Sequence, residues 1–298
     1  MEWAKKLARK LAGREPVLKT PYAKPGKLPR RVSIEITTRC NLACVMCAHG
    51  APSEISNWLA KRDAPDAMVK QILEHIDELE MLHPTGTGEP LLSQGFWDIA
   101  ERLRGRKSPQ LIFNTNCTLL TQENVEKLAD LPLARVNLSL DAATPETYKK
   151  IRGASFDKVT RGISRLVERI EKVAPQKKIT LAMSMVLMRE NIEEAPRFVE
   201  LASQLGVPNV YFEHLLWQDV GAAQGWNAVR DGFVFNYQRQ MLGDTPEYAD
   251  SFVIGALDVA DRLNIQVDGR GIFLVPGNNR HDERPCRQQT KFVAQMFG

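Results

Sequence analysis

What this 298-residue chain lacks narrows the reading first. No apolar run approaches the roughly 18–20 residues of a membrane span, so a helical membrane protein is not expected. The first dozen residues, MEWAKKLARKLA, are basic and carry no apolar h-region, so no secretory signal is read there. Cysteine is scarce, five in all and odd in number, which argues against a disulfide framework. With no export signal, the expected setting is the cytoplasm, where thiols stay reduced. No internal repeat and no low-complexity tract is visible, which sets aside a solenoid.

What is present is ordinary in bulk and uneven in detail. Hydrophobic residues make up 43% and charged residues 26%, as in a typical globular protein. A compact domain of this length buries about 75% of its unfolded surface, so folding needs no metal or disulfide. The net charge of +4 is unevenly spread: residues 1–31 hold ten Lys/Arg against two Asp/Glu, +8, which leaves −4 for the rest. Residues 1–31 therefore read as a basic arm, with Pro16, Pro21, Pro25, Gly26 and Pro29 making 13–31 an extended linker. Trp3, Leu7 and Leu11 share a face if the arm is helical. It is either a solvated extension or a contact for an anionic membrane surface, nucleic acid or acidic peptide. The acidic body with no basic face makes a nucleic-acid modifier the weakest of the functional readings.

From residue 32 onward strands and helices alternate. Strands are read at 32–37 (VSIEIT), before the turn HPTGTGEP, and at 110–115, 135–140, 178–187 and 209–216. Helices are read at 65–82, in FWDIAERLR and ENVEKLADL, and at 157–173 and 191–206, the last ending on a capping glycine. Six strand–helix units predict an α/β fold with a parallel sheet and right-handed crossovers. They are too few for a closed eight-stranded barrel, so a partial (β/α)6 TIM-like barrel is expected over 32–270, its open side covered by C-terminal segments. Residues 271–298 form a separate C-terminal segment. Residues 211–252 hold nine of the 21 aromatics and read as an insertion with helical pieces, either lining a substrate pocket or covering the last strand.

Three of the five cysteines fall within eight residues: Cys40, Cys44 and Cys47, spaced C-x3-C-x2-C after the first strand. Soft thiolates suit iron–sulfur or zinc. Three of them can hold three corners of a cubic cluster and leave the fourth iron open. The alternative is a Cys3His zinc site completed by His49, in a non-catalytic zinc or iron–sulfur scaffold. His49 lies only two residues past Cys47, whereas zinc ribbons and fingers draw their second pair from a distant segment.

The segment CNLACVMC resembles the radical S-adenosylmethionine (SAM) superfamily, and three further stretches resemble its motifs in order. The resemblance implies a [4Fe-4S] cluster on Cys40, Cys44 and Cys47, whose unligated iron binds the methionyl part of SAM. Reductive cleavage of SAM then gives a 5′-deoxyadenosyl radical that takes hydrogen from a substrate. Gly86-Thr87-Gly88-Glu89-Pro90 resembles the glycine-rich GGEP motif for the SAM amino group, where glycines allow close backbone approach and Glu89 accepts from the ammonium. NTNCTLL (114–120) resembles the Thr-Asn-Gly stretch, with Asn116 as a SAM contact and Cys117 where glycine is usual; Cys117 reads as a small buried residue rather than a ligand. In NLSLDAATPETYKKIRG (137–153), Ser139 and Arg152 match positions that bind the SAM carboxylate. Asp141 either orients Arg152 and serves the site or is an acid before a helix; Asn191 reads as an N-cap.

The resemblance also implies a flavodoxin- or ferredoxin-type electron donor, and a substrate that is a peptide or a small molecule of sugar or aminoglycoside type. Within the family the wording is nearest the branch with a SPASM extension, which binds auxiliary clusters. Cys286 and Gly298, with eleven residues between them, match its first step, although Gln289-Thr290 stands where Pro-Trp is expected. Either the chain is truncated within that extension, or it is a single-cluster protein and Cys286 a bystander. Which residues take part in catalysis itself is left open by the sequence.

Overall fold

A computed structural model describes residues 29–56, 59–173, 179–215, 226–269 and 272–275. Residues 1–28 of the basic arm, Trp217, Cys286 and nearly all of 271–298 lie outside them.

The elements run β1 (Arg31–Glu35), α1 (Ser53–Ser56), α2 (Asp66–Glu74), β2 (Met81–Thr85), α3 (Gln94–Leu103), β3 (Gln110–Thr115), α4 (Gln122–Ala129), β4 (Leu133–Ser139), α5 (Pro145–Arg152), α6 (Phe156–Val173), β5 (Thr180–Leu187), α7 (Ala195–Gln204), β6 (Asn209–His214), β7 (Asn227–Arg230), β8 (Phe233–Asn236), α8 (Tyr237–Gln240), α9 (Pro246–Leu263) and β9 (Gln266–Asp268). Seven strands form one parallel sheet in the order β1-β2-β3-β4-β5-β6-β9, and β7–β8 is a separate antiparallel hairpin. The six strand–helix units stand as expected, and a short seventh strand pairs with β6 through Asn209↔Gln266 to Tyr211↔Asp268.

Alternation sorts each strand into two faces. Val136 and Leu138 of β4, Met183, Met185 and Leu187 of β5, and Val210 and Phe212 of β6 are fully buried in one continuous apolar core against the helices. Their alternates, including Arg135, Asn137, Ser139, Ser184, Tyr211 and Glu213, therefore face the concave side, and this lining is largely polar. The longest crossover helix, α6, buries Val159, Ile163, Leu166 and Ile170 at helical spacing. Gly162 lets it lie close: a Cβ there would stand 3.0 Å from the Leu120 Cβ.

Three local readings change. The helix read over 65–82 ends at Glu74; a 3-10 turn follows at 76–78, and Met81 and Leu82 already belong to β2. Leu79 and Leu82 continue the helical spacing by coincidence, and the five-residue strand MLHPT carries a proline that hides it. Pro145–Arg152 is a helix of its own ahead of α6, with Thr144 accepting from Thr147 N at 3.3 Å, Pro145 in its first turn and Gly153 at φ +73° behind it. The aromatic region contains the hairpin β7–β8 and leads into the 18-residue α9.

A cavity of about 700 Å³ opens beside β1, against α2, lined by Val32, Glu35, Met68 and Ile72. It is not where the cysteines lie; those stand at the C-terminal ends of the strands, on the rim of the concave face.

Candidate functional site

The cysteine loop leaves the end of β1 and is pinned from three sides. On the first side, the glycine turn zips to its entry: Gly88 N donates to Thr37 O (3.2 Å) and Glu89 N to Arg39 O (2.8 Å). A Cβ on Gly88 would lie 2.3 Å from Arg39 O, so only glycine permits this approach. Gly86 (φ +146°) brings Thr87 to Glu35, whose Oε1 accepts from Thr87 N (2.9 Å) and Oγ1 (2.7 Å).

On the second side stands the end of α5. Val45 N donates to Ile151 O at 3.0 Å. On the third, the hairpin closes over the loop. Trp226 Nε1 donates to Val45 O (3.1 Å), and Arg230 donates to Ile151 O (2.8 Å), Lys150 O (3.1 Å) and Ala43 O. Gly153 leaves room for that arginine: a Cβ would meet its guanidinium carbon at 2.6 Å. Cys44, Val45 and Met46 share a second apolar cluster with Ile151, Trp226, Phe235 and Tyr237. Those aromatics thus cover the cysteine loop, a third role beside the two the sequence suggested.

Each cysteine sulfur faces an N–H donor. Cys40 Sγ accepts from Leu42 N (3.5 Å) and Asn116 Nδ2 (3.7 Å), and Cys44 Sγ from Arg152 Nη1 (3.5 Å). The His49 backbone serves Cys47. Burial raises the Cys40 thiol and pushes Cys47 up to about 11, in each case against the hydrogen bonds they accept. Buried thiols of this kind give up their protons to a metal rather than to water. Among the described residues, no three His, Cys, Asp or Glu side chains gather where one ion could bind. Three soft thiolate donors, each with an N–H partner, are of the chemical type that suits an iron–sulfur cluster. His49 has its Nε2 buried without a hydrogen-bond partner.

Of the other expected residues, Glu89, Asn116 and Arg152 touch this loop, and Asp141 joins it through Arg152. Glu89 is fully buried, and its carboxylate accepts from Asn116 N (2.7 Å), Thr115 Oγ1 (2.9 Å) and Leu91 N (3.3 Å). Burial drives its pKa up to about 7 in spite of these donors. Asn116 reaches Asn41 Oδ1 (2.9 Å) as well as Cys40, and its own Oδ1 accepts from Thr118. Cys117 sits at φ +65°, the left-handed region that favours glycine, with its side chain buried. Asp141, also at positive φ (+62°), pairs with Arg152 at 2.5 Å and accepts from Val186 N at 2.8 Å. Burial works to lower the Arg152 pKa, but Asp141 and Cys44 outweigh it and hold it above the ordinary arginine value. Arg152 Nε is buried with no partner, an orphan donor in the wall of the site. Ser139 ends β4 level with Ser184, 3.4 Å away.

Asn191 stands at the N-cap position of the 3-10 turn at 192–194, as expected, but does not cap it with its side chain. Its side chain makes no capping bond; it donates to Asp141 O (2.8 Å) and Val186 O (2.9 Å) and accepts from Met188 N (2.9 Å), tying the β4 and β5 loops together. A buried Asn spends its bonds on two strands' loose ends where an exposed one would cap. Sequence reasoning missed Tyr148, whose buried hydroxyl has no partner and whose pKa burial raises, with Arg152 opposing. Its place four residues before Arg152, on the same helix face, was the available signal. Nothing local marked Trp226 and Arg230, which arrive from far along the chain.

The chain matches the profile of the Radical SAM superfamily over residues 34–202, more than half its length. The chain belongs to the radical SAM superfamily. Membership implies a [4Fe-4S] cluster and SAM, and the members it resembles by sequence are named as enzymes. The mycofactocin maturase MftC of Mycolicibacterium smegmatis is 30% identical over 255 residues, 81% of this chain and 60% of that protein. The MftC of Mycobacterium tuberculosis (strain CDC 1551 / Oshkosh) is 32% identical over 177 residues, 58% of this chain and 41% of that protein. A protein of Methanococcus maripaludis (strain C5 / ATCC BAA-1333) named as a probable GTP 3',8-cyclase is 31% identical, over 61% of this chain and 57% of its own. The chain thus spans between two-fifths and three-fifths of these relatives. In fold it is similar to Streptococcus suis SuiB bound to S-adenosylmethionine, with TM-score 0.56, 15% identity, and coverage of 82% of this chain and 51% of that one. Among the described residues, no helix is long and apolar enough to cross a membrane.

Proposed function

We propose that residues 32–270 are the catalytic core of a radical SAM enzyme that acts on a peptide. Cys40, Cys44 and Cys47 would hold the [4Fe-4S] cluster, and Gly86, Gly88, Glu89, Asn116, Ser139, Asp141 and Arg152 would contact SAM. When bound, the cluster and SAM supply one-electron cleavage of SAM and abstraction of a hydrogen atom. The observation that carries the reading is the convergence of three separate strand ends on one rim: three cysteine thiols with N–H donors, of which Cys44 is buried and Cys40 and Cys47 are partly buried, the Glu89 carboxyl and the Arg152 guanidinium.

The chain's own residues divide the work. Glu89 faces an ammonium with an acceptor already fixed by three donors, so binding needs no rearrangement. Asp141 orients Arg152, whose orphan Nε is the donor left for a carboxylate. The hairpin and the apolar cluster under it shield Cys44, Val45 and Met46 from water. A peptide substrate is supported by the named maturase relatives and by SuiB having been solved with its precursor peptide SuiA; a sugar-type small molecule is the second choice. We assign the electron to a flavodoxin- or ferredoxin-type donor in a reducing compartment.

The test is anaerobic reconstitution with iron and sulfide, reduction, addition of SAM and measurement of 5′-deoxyadenosine. Product that disappears in Cys44→Ala supports the reading. Stoichiometric zinc, no cluster and indifference to SAM would replace it with the scaffold.

A further inference from the structure

We propose that Arg135 anchors a carboxylate of the substrate on the concave face of the sheet, below the cysteine site; this rests on the substrate-processing reading above.

Arg135 alternates with Val136 and so points away from the helix-packed core. Its guanidinium is held rather than loose. Nε donates to Asn137 Oδ1 (2.6 Å), Asn137 Nδ2 donates to Asn114 Oδ1 (2.6 Å), and Asn114 Nδ2 donates to Thr85 Oγ1 (3.4 Å). This relay crosses β4, β3 and β2. On the other side, the guanidinium carbon stands 5.9 Å from the centre of the Tyr211 ring. Tyr211 is level with Ser184 and Asp268, and Ser184 with Ser139. The arginine head therefore leans past its own row, through the level of Asn137, toward the row of Tyr211, Ser184 and Ser139.

Among the described residues, no contacting anion neutralises that positive charge. Among the described residues, neither terminal nitrogen donates a hydrogen bond and no carboxylate comes within salt-bridge distance. Burial pulls the Arg135 pKa below its ordinary value, with Asp268 and Tyr211 opposing from further off. A half-buried, pre-aimed guanidinium without a contacting anion costs stability that a bound anion would return.

The surroundings select the anion. Among the described strand residues on the concave face from β2 to β9, Arg135 is the one Lys or Arg, while Glu213 and Asp268 add negative charge. One planar fork suits one carboxylate. A nucleotide's polyphosphate would meet a single cation and two acids. The substrate class is a carboxylic acid, presented by a peptide C-terminus or side chain.

The experiment uses the full chain with its cluster reconstituted. Its probes are a set of N-acetylated tripeptides with free C-terminal carboxylates, the same set amidated, and GTP, each measured by equilibrium dialysis. The acids are expected to bind at least about tenfold tighter than the amides, as for hydrogen bonds to a charged group. That preference should vanish in Arg135→Met and shrink in Arg135→Lys, which keeps the charge but loses the fork. Circular dichroism and iron content at wild-type values show that each variant folds. Equal binding of acids and amides, no binding of any acid, a preference that survives Arg135→Met, or tighter Arg135-dependent binding of GTP would each overturn the proposal. Formation of 5′-deoxyadenosine by the unmodified chain is scored separately. Its absence with acid preference intact sinks the enzymatic reading alone, and the reverse sinks the anchor alone.

Discussion

The Asp141–Arg152 pair allows a quantitative test of how the site is held together. Both side chains are buried, their charged atoms are 2.5 Å apart, and Asp141 also accepts from Val186 N. Removing one partner leaves the other charge buried and alone, which costs about 3–5 kcal/mol. Arg152→Met should therefore destabilise the cofactor-free chain by about that much, and Asp141→Asn by about 3 kcal/mol, since the amide keeps part of the hydrogen bonding. The double variant strands no charge. Its cost should fall short of the sum of the singles by about 2 kcal/mol or more, within the range seen for residues in direct contact. The assay is urea unfolding of all four proteins under reducing conditions, with the m-value checked for two-state behaviour. Additive effects, with coupling below about 0.5 kcal/mol, would refute the reasoning: the pair would then be an incidental contact, and Asp141 would not be what orients Arg152.

Other outcomes follow from the same geometry. The Glu89 carboxyl holds its proton to about 7 in the native chain but releases it near 4.5 when unfolded, so its contribution favours the native state at low pH and is lost as pH rises from about 4.5 to 7. Urea midpoints at pH 5 and pH 8 should show this decline, worth about 3 kcal/mol at most, and Glu89→Gln should flatten it. Cys117→Gly should stay within about 1 kcal/mol of the parent by thermal unfolding, because relief at φ +65° offsets lost burial and added chain entropy. Cys117→Val should lose about 2 kcal/mol or more, since a β-branched residue tolerates that backbone poorly. Arg230→Ala frees the carbonyls of Ala43, Lys150 and Ile151, and should speed amide exchange at Val45 about tenfold while the sheet core stays protected. Unchanged exchange at Val45 would mean that the hairpin does not clamp the loop.

What the sequence determined by itself were features with local causes. Strand–helix alternation set a parallel sheet, because buried β-branched runs separated by amphipathic helices have few other ways to pack. The thiol spacing placed three soft ligands on one loop, and the order of GTGEP, NTNCTLL and SLD…IRG put the remaining groups at successive strand ends. The unusual Cys117 was visible as a residue out of pattern, and its positive φ confirms that the position asks for glycine. Tertiary structure alone decided the rest. Asn191 looks like a cap until β5 is beside β4, when its amide bridges two loops that are distant in sequence. The aromatics of 211–252 look like pocket or cover until the hairpin folds back nearly two hundred residues onto Val45. Arg135 is one more strand arginine until the alternation, the Asn137–Asn114 relay and Tyr211 bring its head toward the row of Ser139. Backbone periodicity and short motifs are written along the chain, whereas a buried side chain's partners depend on which strands become neighbours, and local sequence does not encode that.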